Sequence, residues 1–129
     1  MLINKIFVYG TLKQGFCNYP KIHPFCKNIR SAVLQGILYD LPFGYPGAID
    51  GKGKIRGEVF ELNDVELALQ ILDELEDYLG PGCADNVYER VIREVGLTDG
   101  SSEYVYVYLW RNEQLLAHCG RINNEGEWM

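Results

Sequence analysis

The sequence predicts an α+β fold, and three observations carry that prediction. Strand-like segments outnumber helical ones and run in the order β, loop, β, β, α, β, β, with a polar tail. Only residues 64–79 show sustained helical periodicity. The strands do not alternate with helices, and the sequence holds no G-x-x-x-x-G-K-[ST] phosphate loop. A chain of 129 residues suffices for one compact domain, 1–129.

The first element is "LINKIFVY", residues 2–9. Its continuous apolar run reads as a strand covered on both faces. It leads straight into Gly10, Thr11 and Leu12, so the best-buried strand ends by presenting backbone. From Lys13 to Asn28 the signals mix: Gly15, Pro20, Pro24, two cysteines and several aromatics predict a loop with one helical turn. "AVLQGILYD", residues 32–40, is a second strand, with Gly36 marking a bulge or a close backbone approach. "LPFGYPGAI" reads as a Pro/Gly/aromatic loop. "KGKIRGEVFEL" is the third strand, with a bulge expected at Gly57.

Asn63 can cap the helix that follows, with Glu66 three residues on in a capping-box arrangement. Gly80, Pro81 and Gly82 stop it. "YERVIREVGL" and "EYVYVYLW" are two further strands, joined by a loop around Asp99-Gly100. The alternating tyrosines and valines of residues 104–108 are strong strand formers.

Composition narrows the function. Apolar residues make up 47% and charged residues 23%, the profile of a soluble globular protein. A net charge of -6 without any basic stripe argues against nucleic acid as the main partner. No apolar run approaches the roughly 20 residues of a membrane span. No secretory signal stands out either, so a cytoplasmic location is expected. The four cysteines form no C-x-x-C pair, which disfavours a zinc ribbon and leaves them as reduced packing thiols. His23 and His118 are too scattered for a metal site. Cys119 follows His118, but a Cys–His dyad is a spatial pairing and adjacency does not make one.

One carboxylate sits where a core residue belongs. At about 100° per residue with Val65 at zero, Leu69 falls near 40° and Leu72 near 340°, and Glu76 lies between them at about 20°. Asp73 is at the margin, and Glu74 and Asp77 lie outside the stripe. Burial and the negative end of the helix dipole both disfavour the ionised form, so the Glu76 pKa should rise. A carboxyl so placed can take and return a proton near neutral pH. Two other outcomes remain open from geometry alone. The last turn can project past the core and leave Glu76 solvated, or Glu76 can pair with Arg90 or Arg93.

"VYGTLKQG", "YPGAI", "GEVFEL", "LDELEDY", "YERV" and "VYVY", in this order and spacing over residues 3–110, resemble the gamma-glutamylcyclotransferase-like family. The likeness is greatest to its short gamma-glutamylamine cyclotransferase and AIG2-like branch, and "GEW" near the end resembles a frequent terminal motif. The resemblance implies a small mixed β-barrel with flanking helices. It implies release of an amine or amino compound from a gamma-glutamyl group, with closure of the glutamyl part to 5-oxoproline. It assigns Tyr9, Gly10, Thr11 and Leu12 to the substrate-binding loop, Glu76 to the catalytic acid/base and Tyr88 to the cavity wall. No metal or organic cofactor is implied. The family often has Gly after the catalytic Glu, where this chain has Asp77, and the "LGPGCADNV" loop is individual. The Asp77 charge either alters the local field or points outward, as its place outside the stripe suggests, whereas the loop bears on the leaving group more than on the reaction.

The chemistry suits these residues. The alpha-amine of a gamma-glutamyl group attacks its own gamma-carbonyl, so folding the chain supplies much of the advantage. Glu76 can relay the proton, and the backbone N–H groups of residues 10–12 can hold an anionic oxygen. Tyr88 can orient substrate through its hydroxyl or serve only as a sheet aromatic. Tyr45 and Tyr106 read as structural, though either could wall the cavity. Two other functions compete: a non-catalytic binding module for gamma-glutamyl-like acids, and an interaction domain with a vestigial cavity. The leaving group and the oligomeric state are not legible in the sequence.

Overall fold

The computed structural model describes residues 3–129, so Leu2 of the expected first strand lies outside the described residues. The elements are β1 (Lys5–Val8), α1 (Tyr19–Ile22) with a 3₁₀ turn (His23–Phe25), β2 (Cys26–Asp40), β3 (Pro46–Leu62), α2 (Val65–Leu75), β4 (Tyr88–Leu97), β5 (Ser102–Trp110), α3 (Glu113–Cys119) and β6 (Arg121–Ile122). The strand order β3-β1-β5-β4-β2 closes on itself through the β2–β3 pairing. The result is a five-stranded mixed barrel with the short β6 appended to β2. All pairings are antiparallel except β1 with β5, where Ile6 lies opposite Tyr106.

Closure gives β1 two buried faces. Phe7 points into the barrel with Leu34, Ile55, Val59, Val105 and Val107. Ile6 and Val8 point outward, beneath a layer that includes Phe60, Leu72, Trp110 and Leu116. A strand buried on both sides must be apolar at every position, which accounts for the continuous run. Along β5 the same alternation places Val105 and Val107 inside and Tyr108 and Trp110 outside.

Several local expectations are corrected. β2 begins at Cys26, six residues before the apolar pattern does, because its early residues pair with the end of β3. β3 begins at Pro46, inside the predicted loop, because Pro46 and Gly47 pair with Asp40 and Tyr39. Ladder pairing jumps from Gln35–Lys54 to Ile37–Ile49 across Gly36, so the bulge expected there is present. Gly57 makes no bulge and pairs in register with Ala32. It is glycine because a Cβ would sit 2.3 Å from the Val8 carbonyl oxygen and 2.7 Å from the Phe7 ring.

The central helix is shorter than its periodicity. α2 stops at Leu75, and Leu79, expected in the stripe, is 67% exposed. Its N-cap is Asp64, with a left-handed φ of 46° and no side-chain cap, so Asn63 and Glu66 form no capping box. The Asn63 amide instead bonds the Phe25 carbonyl. α3 was not expected. Its signal is the N-cap Asn112, whose side chain accepts from the Leu115 amide, ahead of Leu116, which is fully buried.

The tail folds back across the barrel. The Asn123 amide bonds the Leu38 carbonyl, and the Arg56 amide bonds the Gly126 carbonyl. Lys13 Nζ donates to the Trp128 carbonyl at 2.7 Å, and the Trp128 ring lies 5.2 Å from Phe16. The C-terminal residues therefore pin the segment that follows the Gly10–Leu12 turn.

Candidate active site

β1 ends at Val8, and the chain turns away at the mouth of a cleft of about 260 Å³. Three regions meet there. Tyr9, Gly10, Thr11 and Leu12 come from the turn, Leu75, Glu76 and Asp77 from the end of α2, and Tyr88 and Tyr108 from β4 and β5. Tyr45 and Pro46 complete the wall. All six residues that the family resemblance assigns to the site line this one cleft. Tyr106 is outside it, and Tyr45, read as structural, is inside. Cys17, Asn18, Pro46 and Tyr108 also line it. No spacing signal marked them, because they are brought in by the loop after β1 and by pairing across the barrel.

The turn is built so that its amides are spare. Its own hydrogen bonds use carbonyls and side chains: the Lys13 amide donates to Gly10 O, the Asn18 amide to Thr11 O, and Asn18 Nδ2 to Thr11 Oγ1. The N–H groups of Gly10, Thr11 and Leu12 donate to no acceptor among the described residues. Gly10 has a packing reason for its identity, since a Cβ there would lie 2.8 Å from both Cγ and Cδ of Pro46. The turn thus rests directly on the strand opposite.

Glu76 is the C-cap of α2, at φ −92° and ψ 8°. Asp77 follows in the left-handed region at φ 53°. The Tyr78 amide reaches back to Asp73 O and the Asp77 amide to Glu74 O, which is a Schellman closure. Glycine is the usual residue at the left-handed position of this motif, and this chain uses Asp. The closure leaves Glu76 half-buried and facing the cleft. Arg90 is engaged by Asp73 and Arg93 by Asp50, so neither pairs with Glu76. Burial, with a further push from the Asp77 charge, raises the Glu76 carboxyl to about 7.

Two phenols flank it. Tyr9 Oη donates to Tyr108 O at 2.6 Å, and Tyr88 Oη donates to Pro46 O. Burial holds both far above the ordinary tyrosine range, and the Glu76 charge adds to this in each. Both therefore stay protonated, with their hydrogens committed to backbone carbonyls. A hydroxyl so committed can accept a hydrogen bond but has no second hydrogen to give.

Behind the cleft, Asp73 accepts two bonds from Arg90, at 2.6 and 2.7 Å, and one from the Tyr108 hydroxyl at 2.7 Å. The Arg90 guanidinium lies between the rings of Tyr78 and Tyr106, 5.3 Å from each. The sequence left Asp73 at the margin of the helix stripe. Its partners lie on strands, so helical periodicity could not reveal them.

Among the described residues no group of three or more His, Cys, Asp and Glu side chains is arranged to hold a metal ion. Among those residues, also, no helix is long and apolar enough to cross a membrane.

Known proteins share this architecture. A family model described as "Gamma-glutamyl cyclotransferase, AIG2-like" matches residues 6–129. A Gamma-L-glutamyl-butirosin B gamma-glutamyl cyclotransferase from Niallia circulans is 36% identical over 104 residues, which span 80% of this chain and 65% of that protein. An AIG2-like protein from Mus musculus has a solved structure with a TM-score of 0.70 at 23% identity, covering 100% of this chain and 90% of that one. YkqA from Bacillus subtilis gives a TM-score of 0.69 at 24% identity, covering 98% of this chain and 40% of that one. The last two likenesses concern the fold. With a family model spanning the barrel, the α2 end and the tail, the chain belongs to the gamma-glutamyl cyclotransferase, AIG2-like family.

Proposed function

We propose that the cleft binds the gamma-glutamyl group of a gamma-glutamyl amine or related compound and releases the amine, leaving 5-oxoproline. The observation that carries this reading is one juxtaposition: a half-buried carboxyl raised to about 7 shares a small cleft with three backbone amides that have no acceptor among the described residues. A relative of the same family is named for action on a gamma-glutamyl compound, which supports the substrate class.

The step balances as follows. The alpha-amine nitrogen of the glutamyl group bonds to its gamma-carbonyl carbon, closing a five-membered ring. Ionised Glu76 accepts the proton that the amine loses. The carbonyl oxygen becomes an oxyanion, and the bond from the same carbon to the leaving nitrogen then breaks. Glu76 returns the proton to that nitrogen, so the carboxylate ends as it began. A carboxyl near 7 suits both transfers at neutral pH, worth on the order of 10²–10⁴-fold. The amides of Gly10, Thr11 and Leu12 hold a negative oxygen of the substrate. Their fixed direction costs no reorganisation at the moment of reaction. Tyr9 and Tyr88 keep the wall dry and the turn in register, through their bonds to Tyr108 O and Pro46 O.

The test is 5-oxoproline release from a panel of gamma-glutamyl amines and gamma-glutamyl amino acids, run on wild type and Glu76→Gln. Release by wild type and its loss in the variant are expected. Ligand-dependent thermal stabilisation with no 5-oxoproline from any conjugate would replace the reading with a binding module.

A further inference from the structure

The charged residues that line the cleft have one sign. Its lining holds two carboxylates, Glu76 and Asp77, and no Lys, Arg or His among the described residues. Three cations on segments next to the lining are engaged elsewhere. Lys13 donates to the Trp128 carbonyl, Arg90 is paired with Asp73, and Arg111 bonds Glu89 and the Cys83 carbonyl. Asp77 is exposed and, among the described residues, makes no ion pair.

The proposed reaction fixes which part of a substrate meets Asp77. The leaving nitrogen must lie at Glu76 to recover its proton. Whatever that nitrogen carries then extends from Glu76 toward the open side of the cleft. Asp77 is the next residue, it lines the cleft, and its left-handed backbone turns the chain at that point. The other lining residues on the loops around the opening, Cys17, Asn18, Gly44, Tyr45 and Val87, include no Lys, Arg, His, Asp or Glu. A leaving group with a carboxylate would meet two negative charges and no compensating cation. One with a second ammonium would meet a carboxylate free to pair with it.

We infer that Asp77 selects the leaving group: the enzyme acts on gamma-glutamyl conjugates of amines that bear a second positive charge a few bonds from the scissile nitrogen. This rests on the cyclotransferase reading above and narrows its substrate class.

Three conjugates test it: gamma-glutamyl-1,4-diaminobutane, gamma-glutamyl-pentylamine and gamma-glutamyl-4-aminobutanoate. They match closely in length and differ in tail charge. At low salt kcat/KM is expected to fall from cation to neutral to anion, with each step about two- to fivefold, the range of an exposed ion pair. Asp77→Asn, which tolerates the left-handed backbone, should shrink the cation-to-neutral ratio to within about twofold, as should high salt in wild type. Taking the ratio cancels any effect of the substitution on Glu76 itself. Equal turnover of the three conjugates, or a charge order that survives Asp77→Asn, overturns the inference. Calorimetric binding of the same conjugates keeps the two claims apart. A retained charge order in Kd without 5-oxoproline removes the reaction and keeps the selection. Turnover without a charge order does the reverse.

Discussion

Arg90 Nη1 lies 2.6 Å from Asp73 Oδ2, and the cation is clamped between two tyrosine rings as it reaches from β4 to the end of α2. Asp73 is three residues before Glu76, so this pair fixes the turn of helix that aims the buried carboxyl. Tyr108 donates its hydroxyl to the other Asp73 oxygen, Oδ1, and lines the cleft. Removing the cation leaves a half-buried carboxylate with one partner. Arg90→Met is expected to cost about 1–3 kcal/mol, read from urea denaturation. It should also lower kcat more than it raises KM, because Glu76 loses its aim while the Gly10–Leu12 turn is untouched.

Glu76→Gln should abolish 5-oxoproline formation by at least about 10²-fold and leave the fold intact. Its stability effect depends on pH, and the sign follows from the raised pKa. The folded state holds the Glu76 proton up to about 7, whereas the unfolded chain releases it near the ordinary 4.5. The protonated form thus contributes stability that is fully present below pH 4.5 and is lost as pH rises through 7. Wild type and variant should be of similar stability at pH 4, and the variant should lead by up to about 3 kcal/mol at pH 8. Denaturation curves at the two pH values check this.

Asp77→Gly should act in two separable ways. Glycine accepts the φ of 53° without the penalty an L-residue meets there, so the variant should gain about 0.5–1 kcal/mol. Removing the neighbouring charge also lowers the Glu76 pKa. The rise of kcat/KM with pH, centred near 7 in wild type, should therefore move to lower pH. A pH–rate profile with a neutral-tailed conjugate reads the second effect.

Gly10→Ala places a methyl 2.8 Å from the Pro46 ring, so the turn must shift. The expected outcome is a loss of about 1–3 kcal/mol and a raised KM. Pro46→Ala removes the two ring atoms in the way. The double variant should recover part of both losses, and that non-additivity is what a double-mutant cycle measures.

Much of the candidate site is legible in residue patterns, for definite reasons. Glu76 stood out because a carboxylate at a stripe position conflicts with burial, and a single helix suffices to show that conflict. The Tyr9–Leu12 turn stands out because a continuous apolar strand leads into glycine. What stayed hidden depends on pairing across the barrel. Asp73 needed Arg90 and Tyr108, on two different strands. Gly57 looked like a bulge until Phe7 and Val8 explained it. The apolar stripe continues to Leu79 in the sequence, so periodicity carries α2 past its end at Leu75. The chain instead reverses at Asp77, whose left-handed backbone no periodicity reports.

The parallel contact of β1 with β5 joins Ile6 to Tyr106, a separation of a hundred residues. Such a pairing closes a long loop and forms late in folding. A nascent chain therefore carries residues 9–12 well before Tyr108, which holds the Tyr9 hydroxyl, has been synthesised. Hydrogen exchange at residues 6–8 should accordingly proceed only through global unfolding. Destabilising substitutions far from the cleft would then reduce the amount of competent enzyme without altering its turnover.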